Sequence, residues 1–248
     1  MPPILLVTGA SRGIGAATAR LAAGRGYDVC VNYRMDGAAA ESVVADCRAA
    51  GVRSVAVQGD VSRDDDVRRL FQTCDRALGP LTALVNNAGI LERQMRVEGM
   101  DAGRLSRVLA VNVIGPFLCA REAVLRMSTR HGAAGGAIVN VSSGAARLGS
   151  PHEYVDYAAS KGAVDTMTVG LAQEVAAEGI RVNAVRPGVI YTDIHASGGD
   201  PGRVDRLGPL MPMQRGGHPD EVARAILWLL SDEASFTTGA FIEVTGGR

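Results

Sequence analysis

The sequence predicts a doubly wound α/β fold, a mostly parallel sheet covered by helices on both faces. Short runs rich in Val, Ile and Leu alternate along the chain with longer stretches of helical periodicity. The runs are almost continuously apolar, as strands buried on both faces are. The first run also leads through a glycine-rich turn directly into a helix, the order a βαβ unit requires.

The candidate strands are residues 4–7, 28–32, 54–58, 83–86, 137–142, 181–186 and 241–244, seven in all. Candidate helices lie over 13–25, 38–50, 64–78, 101–130, 154–178 and 219–231. No repeat, low-complexity tract or linker divides the chain, so residues 1–248 are expected to form one domain. From 187 to 217 the alternation fails, and seven glycines and four prolines interrupt the segment. So long an irregular stretch inside a compact domain reads as a lid. Val189, Ile190, Ile194, Leu207, Leu210, Met211 and Met213 are expected to form its apolar underside.

Composition excludes several function classes. The 26 basic residues balance 26 acidic ones, without the basic excess of a nucleic-acid binder. No apolar run approaches the ~18–20 uninterrupted residues of a membrane span, and residues 1–9 lack the basic start of a signal peptide. Cys30, Cys47, Cys74 and Cys119 lie far apart, which suits buried thiols in a reducing cytoplasm. The four histidines show no metal-ligand spacing. Within the basic residues, 25 are Arg and one is Lys, Lys161. That bias singles out the position where Arg does not serve.

Gly9, Ser11, Arg12, Gly13, Ile14 and Gly15 form the turn after the first strand. Glycines there let backbone N–H groups approach a pyrophosphate, and the helix N-terminus adds partial positive charge. The three glycines alone are weak evidence in a chain with 31. Their place on the first strand-to-helix turn makes them informative. The second strand ends Asn32-Tyr33-Arg34, with no acid at its tip and Asp36 two residues on. With Arg12 and Arg34 in place of a carboxylate, the site is expected to favour NADP(H) over NAD(H).

Tyr157 and Lys161 stand four apart and so share one face of the helix over 154–178. With five tyrosines, chance puts one at that distance before a lone Lys only about 2% of the time. A phenol titrates near ~10. An ammonium one turn away is expected to lower that value and bring the phenol into range for acid–base catalysis. Tyr154, seven residues before the Lys, reads as pocket wall or core. The fifth strand ends in Ser142 and Ser143, where a hydroxyl can bond a substrate oxygen.

Taken together, Thr8-Gly-x-x-x-Gly-Ile-Gly15, Asn86-Asn87-Ala88-Gly89, Ser143, Tyr157-x-x-x-Lys161 and Pro187-Gly188 resemble the short-chain dehydrogenase/reductase family, in the family's order and from end to end. The resemblance implies a Rossmann-type sheet and a single-domain oxidoreductase. It makes Tyr157 the proton donor, Lys161 the residue that tunes it and holds the nicotinamide ribose, and Ser143 the group that orients the carbonyl. It makes Asn112 the helix asparagine of a proton relay, and Asp60 and Val61 the contacts to adenine. Asn87, Ala88 and Gly89 then line the cofactor, and Pro187, Gly188, Ile190 and Thr192 approach the nicotinamide carboxamide. The family also implies a homotetramer or homodimer. Many members have thirteen residues from Ser to Tyr, and here there are fourteen, which enlarges the loop over 145–153.

The expected activity is interconversion of a ketone or aldehyde with an alcohol, the substrate being a small molecule. An alternative keeps the fold and makes oxidation of a sugar or polyol the physiological direction, with His152, Glu153 and His195 as polar contacts. A non-enzymatic NADP-binding redox sensor or scaffold is disfavoured because the Ser, Tyr and Lys are all present.

Overall fold

A computed structural model describes residues 2–248. Seven strands form one sheet in the order β3-β2-β1-β4-β5-β6-β7. They are β1 (Ile4–Val7), β2 (Asp28–Tyr33), β3 (Ser54–Gln58), β4 (Ala83–Asn86), β5 (Gly136–Val141), β6 (Ile180–Pro187) and β7 (Phe241–Val244). Every neighbouring pair is parallel. The fold is therefore the Rossmann-like α/β sheet that the sequence predicts.

The helices are α1 (Gly13–Ala23), α2 (Gly37–Ala49), α3 (Asp64–Leu78), α4 (Ala102–Leu109), α5 (Gly115–Met127), α6 (Ala145–Leu148), α7 (Val155–Val175), α8 (Ile194–Ser197), α9 (Arg203–Leu207) and α10 (Pro219–Leu230). Strand alternation divides the core in two. Leu5, Val7, Val29, Val31, Val85 and Val139 face a layer built by α1, α2 and α10. Ile4, Leu6, Cys30, Leu84, Ile138 and Val182 face the opposite layer of α3, α5 and α7. All four cysteines are free and buried in these layers.

The expected single helix over 101–130 is three pieces. A π turn, Ala110–Ile114, separates α4 from α5, and a 3₁₀ turn, Thr129–His131, follows α5. The cause of the first break is Pro116, which has no N–H to give the Asn112 carbonyl, so the ladder widens there. By length and overall hydropathy Ala102–Met127 is apolar enough to cross a membrane, although Arg104, Asn112, Arg121 and Glu122 interrupt its apolar run. Here it buries Arg104, Asn112 and Glu122 and packs against α3, α7 and β4.

The irregular segment after β6 is more ordered than its composition implies. It carries α8, α9 and a 3₁₀ turn, Gly208–Leu210, and is pinned by a parallel bridge between Ile190 and Gly217. Ile190, Val204 and Met211 turn inward, whereas Leu210 and Met213 face solvent. The expected apolar underside is correspondingly smaller.

One buried ion pair sets where α7 begins. Arg104 of α4 bonds Asp156 through two nitrogens at 2.7 and 3.2 Å, with side-chain exposures of 4% and 2%. Its Nη1 also donates to the Arg93 carbonyl at 2.6 Å. Asp156 lies in the first turn of α7, where a negative charge also complements the helix dipole. Removing the carboxylate strands a guanidinium without water, so Asp156→Ala is expected to destabilise by about 3–5 kcal/mol. Urea unfolding checks this, and the Arg104→Met/Asp156→Leu pair is expected to recover most of the loss.

Candidate active site

The carboxyl ends of all seven strands open onto one cavity of about 950 Å³. Gly9 follows β1, Arg34 follows β2, and Gly59 and Asp60 follow β3. Asn87 follows β4, Ser142 and Ser143 follow β5, Gly188 follows β6, and Thr245 follows β7. The crevice lies where the strand order reverses about β1, since β2 flanks it on one side and β4 on the other.

Its floor is the glycine turn. Gly9 has φ +60, and a Cβ there would meet the Ala88 Cα at 2.9 Å. At Gly15 a Cβ would strike the Asn87 amide at 2.5 Å and the Gly9 carbonyl at 2.7 Å. No side chain larger than hydrogen fits either place. Asn87 holds the turn by donating to the Thr8 and Gly9 carbonyls at 2.9 and 3.0 Å. Thr8 Oγ1 in return accepts from the Asn87 and Ala88 N–H groups at 3.0 Å each. Asn32 ties β2 to the same turn: its Oδ1 accepts from Gly9 N at 3.2 Å, and its Nδ2 donates to the Gly59 carbonyl at 3.1 Å.

At the rim, Arg12 and Arg34 both line the cavity. Arg34 is not alone, however: its Nε lies 3.3 Å from Asp60 Oδ2. Asp60 also accepts from Ser62 N and Oγ at 3.0 and 2.6 Å. Asp36 is spent capping α2, accepting from Ala39 N at 2.9 Å.

Tyr157 and Lys161 enter from α7. Lys161 is 4% exposed, its Nζ donates to the Val141 carbonyl at 2.7 Å, and it sits 5.6 Å from the centre of the Tyr157 ring. Burial pushes its ammonium down to about 8, against a smaller upward pull from Asp165. Burial raises the Tyr157 phenol above its ordinary value, and the Ser143 hydroxyl beside it pulls the other way. The lowering expected from Lys161 is not what the site shows. The lysine is turned toward a carbonyl, and Ser143 is the group that favours the phenolate.

The two serines at the end of β5 have different surroundings. Ser142 Oγ donates to Asp165 Oδ1 at 2.6 Å. Ser143 Oγ accepts from Ala145 N at 3.1 Å and stands beside the phenol.

Of the predicted site residues, all but Gly15 and Asn112 lie on the cavity wall. Gly15 packs behind the turn. Asn112 is fully buried and brackets Ile90, accepting from its N–H at 2.8 Å and donating to its carbonyl at 3.0 Å, and it donates to Ser160 Oγ at 3.1 Å.

The wall opposite Tyr157 was less legible in the sequence. Tyr154 is 3% exposed, and its hydroxyl lies 3.5 Å from the Gly198 carbonyl. Arg203 of α9 lies over the Tyr154 ring at 5.3 Å and bonds both oxygens of Glu153 at 2.9 and 2.6 Å. His195 contacts the Ile190 carbonyl through Nε2 at 3.0 Å, and burial lowers its basicity. His152, expected as a polar contact, is not on the wall. It takes a positive φ of 66 in the turn after α6, as does Ser150 at 44. Leu91, Leu148 and Leu207 complete the wall. No spacing rule joins Arg203 to Glu153, which lie 50 residues apart.

A family model described as enoyl-(acyl carrier protein) reductase matches residues 9–248. An uncharacterised oxidoreductase of Escherichia coli K12, YgfF, is 60% identical over 99% of both chains. A 3-ketoacyl-(acyl-carrier-protein) reductase from Brucella melitensis, crystallised with NADH, superposes with a TM-score of 0.91 at 32% identity, covering 99% of this chain and 98% of that one. A short-chain dehydrogenase from Burkholderia cenocepacia, in complex with NADP, does so at 0.91 and 33%, covering 99% and 97%. With these similarities running the length of the chain, the protein belongs to the short-chain dehydrogenase/reductase family and is an NAD(P)-dependent oxidoreductase.

Proposed function

We propose that this protein is an NADP(H)-preferring oxidoreductase that interconverts a ketone or aldehyde with the corresponding alcohol. The observation that carries the reading is the convergence of Ser143, Tyr157 and Lys161 on the cavity floored by the glycine turn. In this reading residues 1–248 work as one domain, with the segment 187–217 as its substrate lid.

The cavity suits a nicotinamide dinucleotide. At Gly13, whose φ is +57, a Cβ would crowd Thr192 across the cavity at 3.3 Å, so glycine there keeps the passage clear. The turn from Gly9 to Ile14 would hold the pyrophosphate, and Asp60 and Val61 the adenine. Asn87, Ala88 and Gly89 would line the channel, with Ile190 and Thr192 at the nicotinamide end. Bound there, the dinucleotide supplies or accepts the hydride.

The chain's own groups handle the oxygen and its proton. Ser143 orients the carbonyl oxygen beside Tyr157. The raised phenol stays protonated at neutral pH, the form that donates in reduction. In the oxidative direction the same oxygen takes the proton back. Lys161 would hold a ribose hydroxyl, and Asn112 supports the relay by fixing Ile90. A compact ammonium fits so confined a place better than the planar fork of Arg. Exposed Leu109, Phe117 and Leu125 on α4 and α5, with Val169 on α7, support assembly with further copies of the chain as a homotetramer or homodimer.

Three outcomes test the reading. Tyr157→Phe is expected to cut turnover about 10²–10⁴-fold while NADPH still binds, measured by NADPH absorbance across a ketone panel and by fluorescence titration. Wild-type rates in that variant overturn the assignment. On the cofactor, the wild type is expected to give the higher kcat/KM with NADPH than with NADH. Arg34→Ala is expected to shrink that preference about 10- to 100-fold, the worth of a charged hydrogen-bonded phosphate contact. A higher kcat/KM with NADH in the wild type sinks the preference.

The third outcome concerns pH. Lys161 loses its charge as pH rises through about 8 in the free protein, and an anionic dinucleotide binds the charged form better. Affinity for NADPH is therefore expected to fall between pH 7 and 9, with proton uptake on binding near pH 8. Calorimetry in buffers of different ionisation enthalpy reads the uptake, and a flat profile contradicts it.

A further inference from the structure

The helix that carries Tyr157 and Lys161 places a third titratable group on the same stripe. Asp165 follows Lys161 by four residues and Tyr157 by eight. Its side chain is 15% exposed. Oδ1 accepts from Ser142 Oγ at 2.6 Å, and Oδ2 pairs with Arg186 of β6 at 2.9–3.0 Å. The Ser142 hydroxyl also lies 3.3 Å from the Lys161 carbonyl, but its single proton is better used on the nearer, charged acceptor.

Ser142 occupies a critical place. The residue before it, Val141, supplies the carbonyl that holds Lys161 Nζ at 2.7 Å. The residue after it is Ser143. By gripping Ser142, Asp165 fixes the strand end between two contacts of the proposed chemistry. We propose that Asp165 is a positioning residue of this active site: through Ser142 it aims Ser143, and with its charge, shared with Arg186, it supports the Lys161 ammonium. The inference rests on the assignment of Ser143, Tyr157 and Lys161 made above.

The charges that face this group are few. Lys161 meets Tyr157 and Asp165 from its own helix, the neutral end of β5, and Asn112 across Gly89. Asp165 meets Arg186, whose Nη1 donates to Glu243 of β7 at 2.8 Å and whose guanidinium lies 4.0 Å over Phe241. Arg147 of α6 also bonds Glu243, at 3.0 Å. Asp165 is the carboxylate that pulls Lys161 upward against burial. Arg186 pairs with the same carboxylate, so neutralising Asp165 and neutralising Arg186 are expected to act on Lys161 with opposite sign.

A clamp between α7 and β6 with no other role would change stability alone. The proposed role moves the pH dependence of NADPH binding, read by fluorescence titration from pH 6 to 10. Asp165→Asn keeps the shape and an acceptor for Ser142, and is expected to lower the midpoint by about one unit. Arg186→Gln frees the carboxylate and is expected to raise it, which keeps the test available if Asp165→Asn does not fold. Ser142→Ala is expected to leave the midpoint in place and reduce kcat about tenfold, with KM for NADPH unchanged.

Wild-type midpoints in both charge variants, with Lys161→Met abolishing the transition, overturn this inference and leave the proposed function standing. A transition that survives Lys161→Met instead overturns the Lys161 assignment, and this inference with it.

Discussion

The rest of the site depends on the close approach of two backbones, the turn after β1 and the segment after β4. A Cβ at Gly9 would come within 2.9 Å of the Ala88 Cα, so the strands either side of the reversal cannot separate or slide without breaking this contact. Four hydrogen bonds lock it, all donated by Asn87 and Ala88 and accepted by Thr8 and Gly9. The glycine turn is thereby aimed into the crevice rather than over the sheet edge. Everything chemical sits at defined heights above that floor, because the strands are parallel and in register.

Lysine occurs once in this chain, and its environment explains what distinguishes that position. Elsewhere Arg serves as a surface and inter-element cation, in forks such as Arg53 with Asp28 and Arg104 with Asp156. Those sites reward a planar donor that remains charged at any accessible pH. Lys161 is held by one carbonyl in a closed space and is driven down to about 8 by burial. A cation there must be narrow. Compensation comes from Asp165, which is itself divided between Ser142 and Arg186. The geometry thus links the Tyr–Lys pair to β6 and, through Glu243, to β7.

Legibility in the sequence followed the range of the physics. The strands, the glycine turn and the pairing of Tyr157 with Lys161 are set by local periodicity, and their positions agree with the fold to within a residue or two. The break before Pro116 also has a local signal, masked by the apolar pattern that runs through it. Contacts between distant segments were not legible. Nothing in the residues around Arg34 announces Asp60, 26 positions on, as its partner. The direction of the Tyr157 shift depended likewise on how deeply the phenol is buried and where Lys161 points. An i, i+4 spacing supplies neither.

The same division separates chemistry from selectivity. Ser143 stands at the end of a strand paired on both sides, and Tyr157 and Lys161 on a 21-residue helix packed against the sheet. The opposite wall is built from short segments: α6 and its left-handed turn, α8 and α9. They are joined to one another by the Glu153–Arg203 pair and by Gly198, where a Cβ would meet Leu91 at 2.9 Å and the Tyr154 hydroxyl at 3.0 Å. Bidentate pairing with Glu153 consumes the charge of Arg203, so Leu91, Leu148 and Leu207 set much of the wall's character. Replacing those residues alters what fits beside the phenol without touching the contacts that hold it. The loop between Ser143 and Tyr157 lies in that replaceable wall, so its length can vary while helix α7 keeps its place against the sheet.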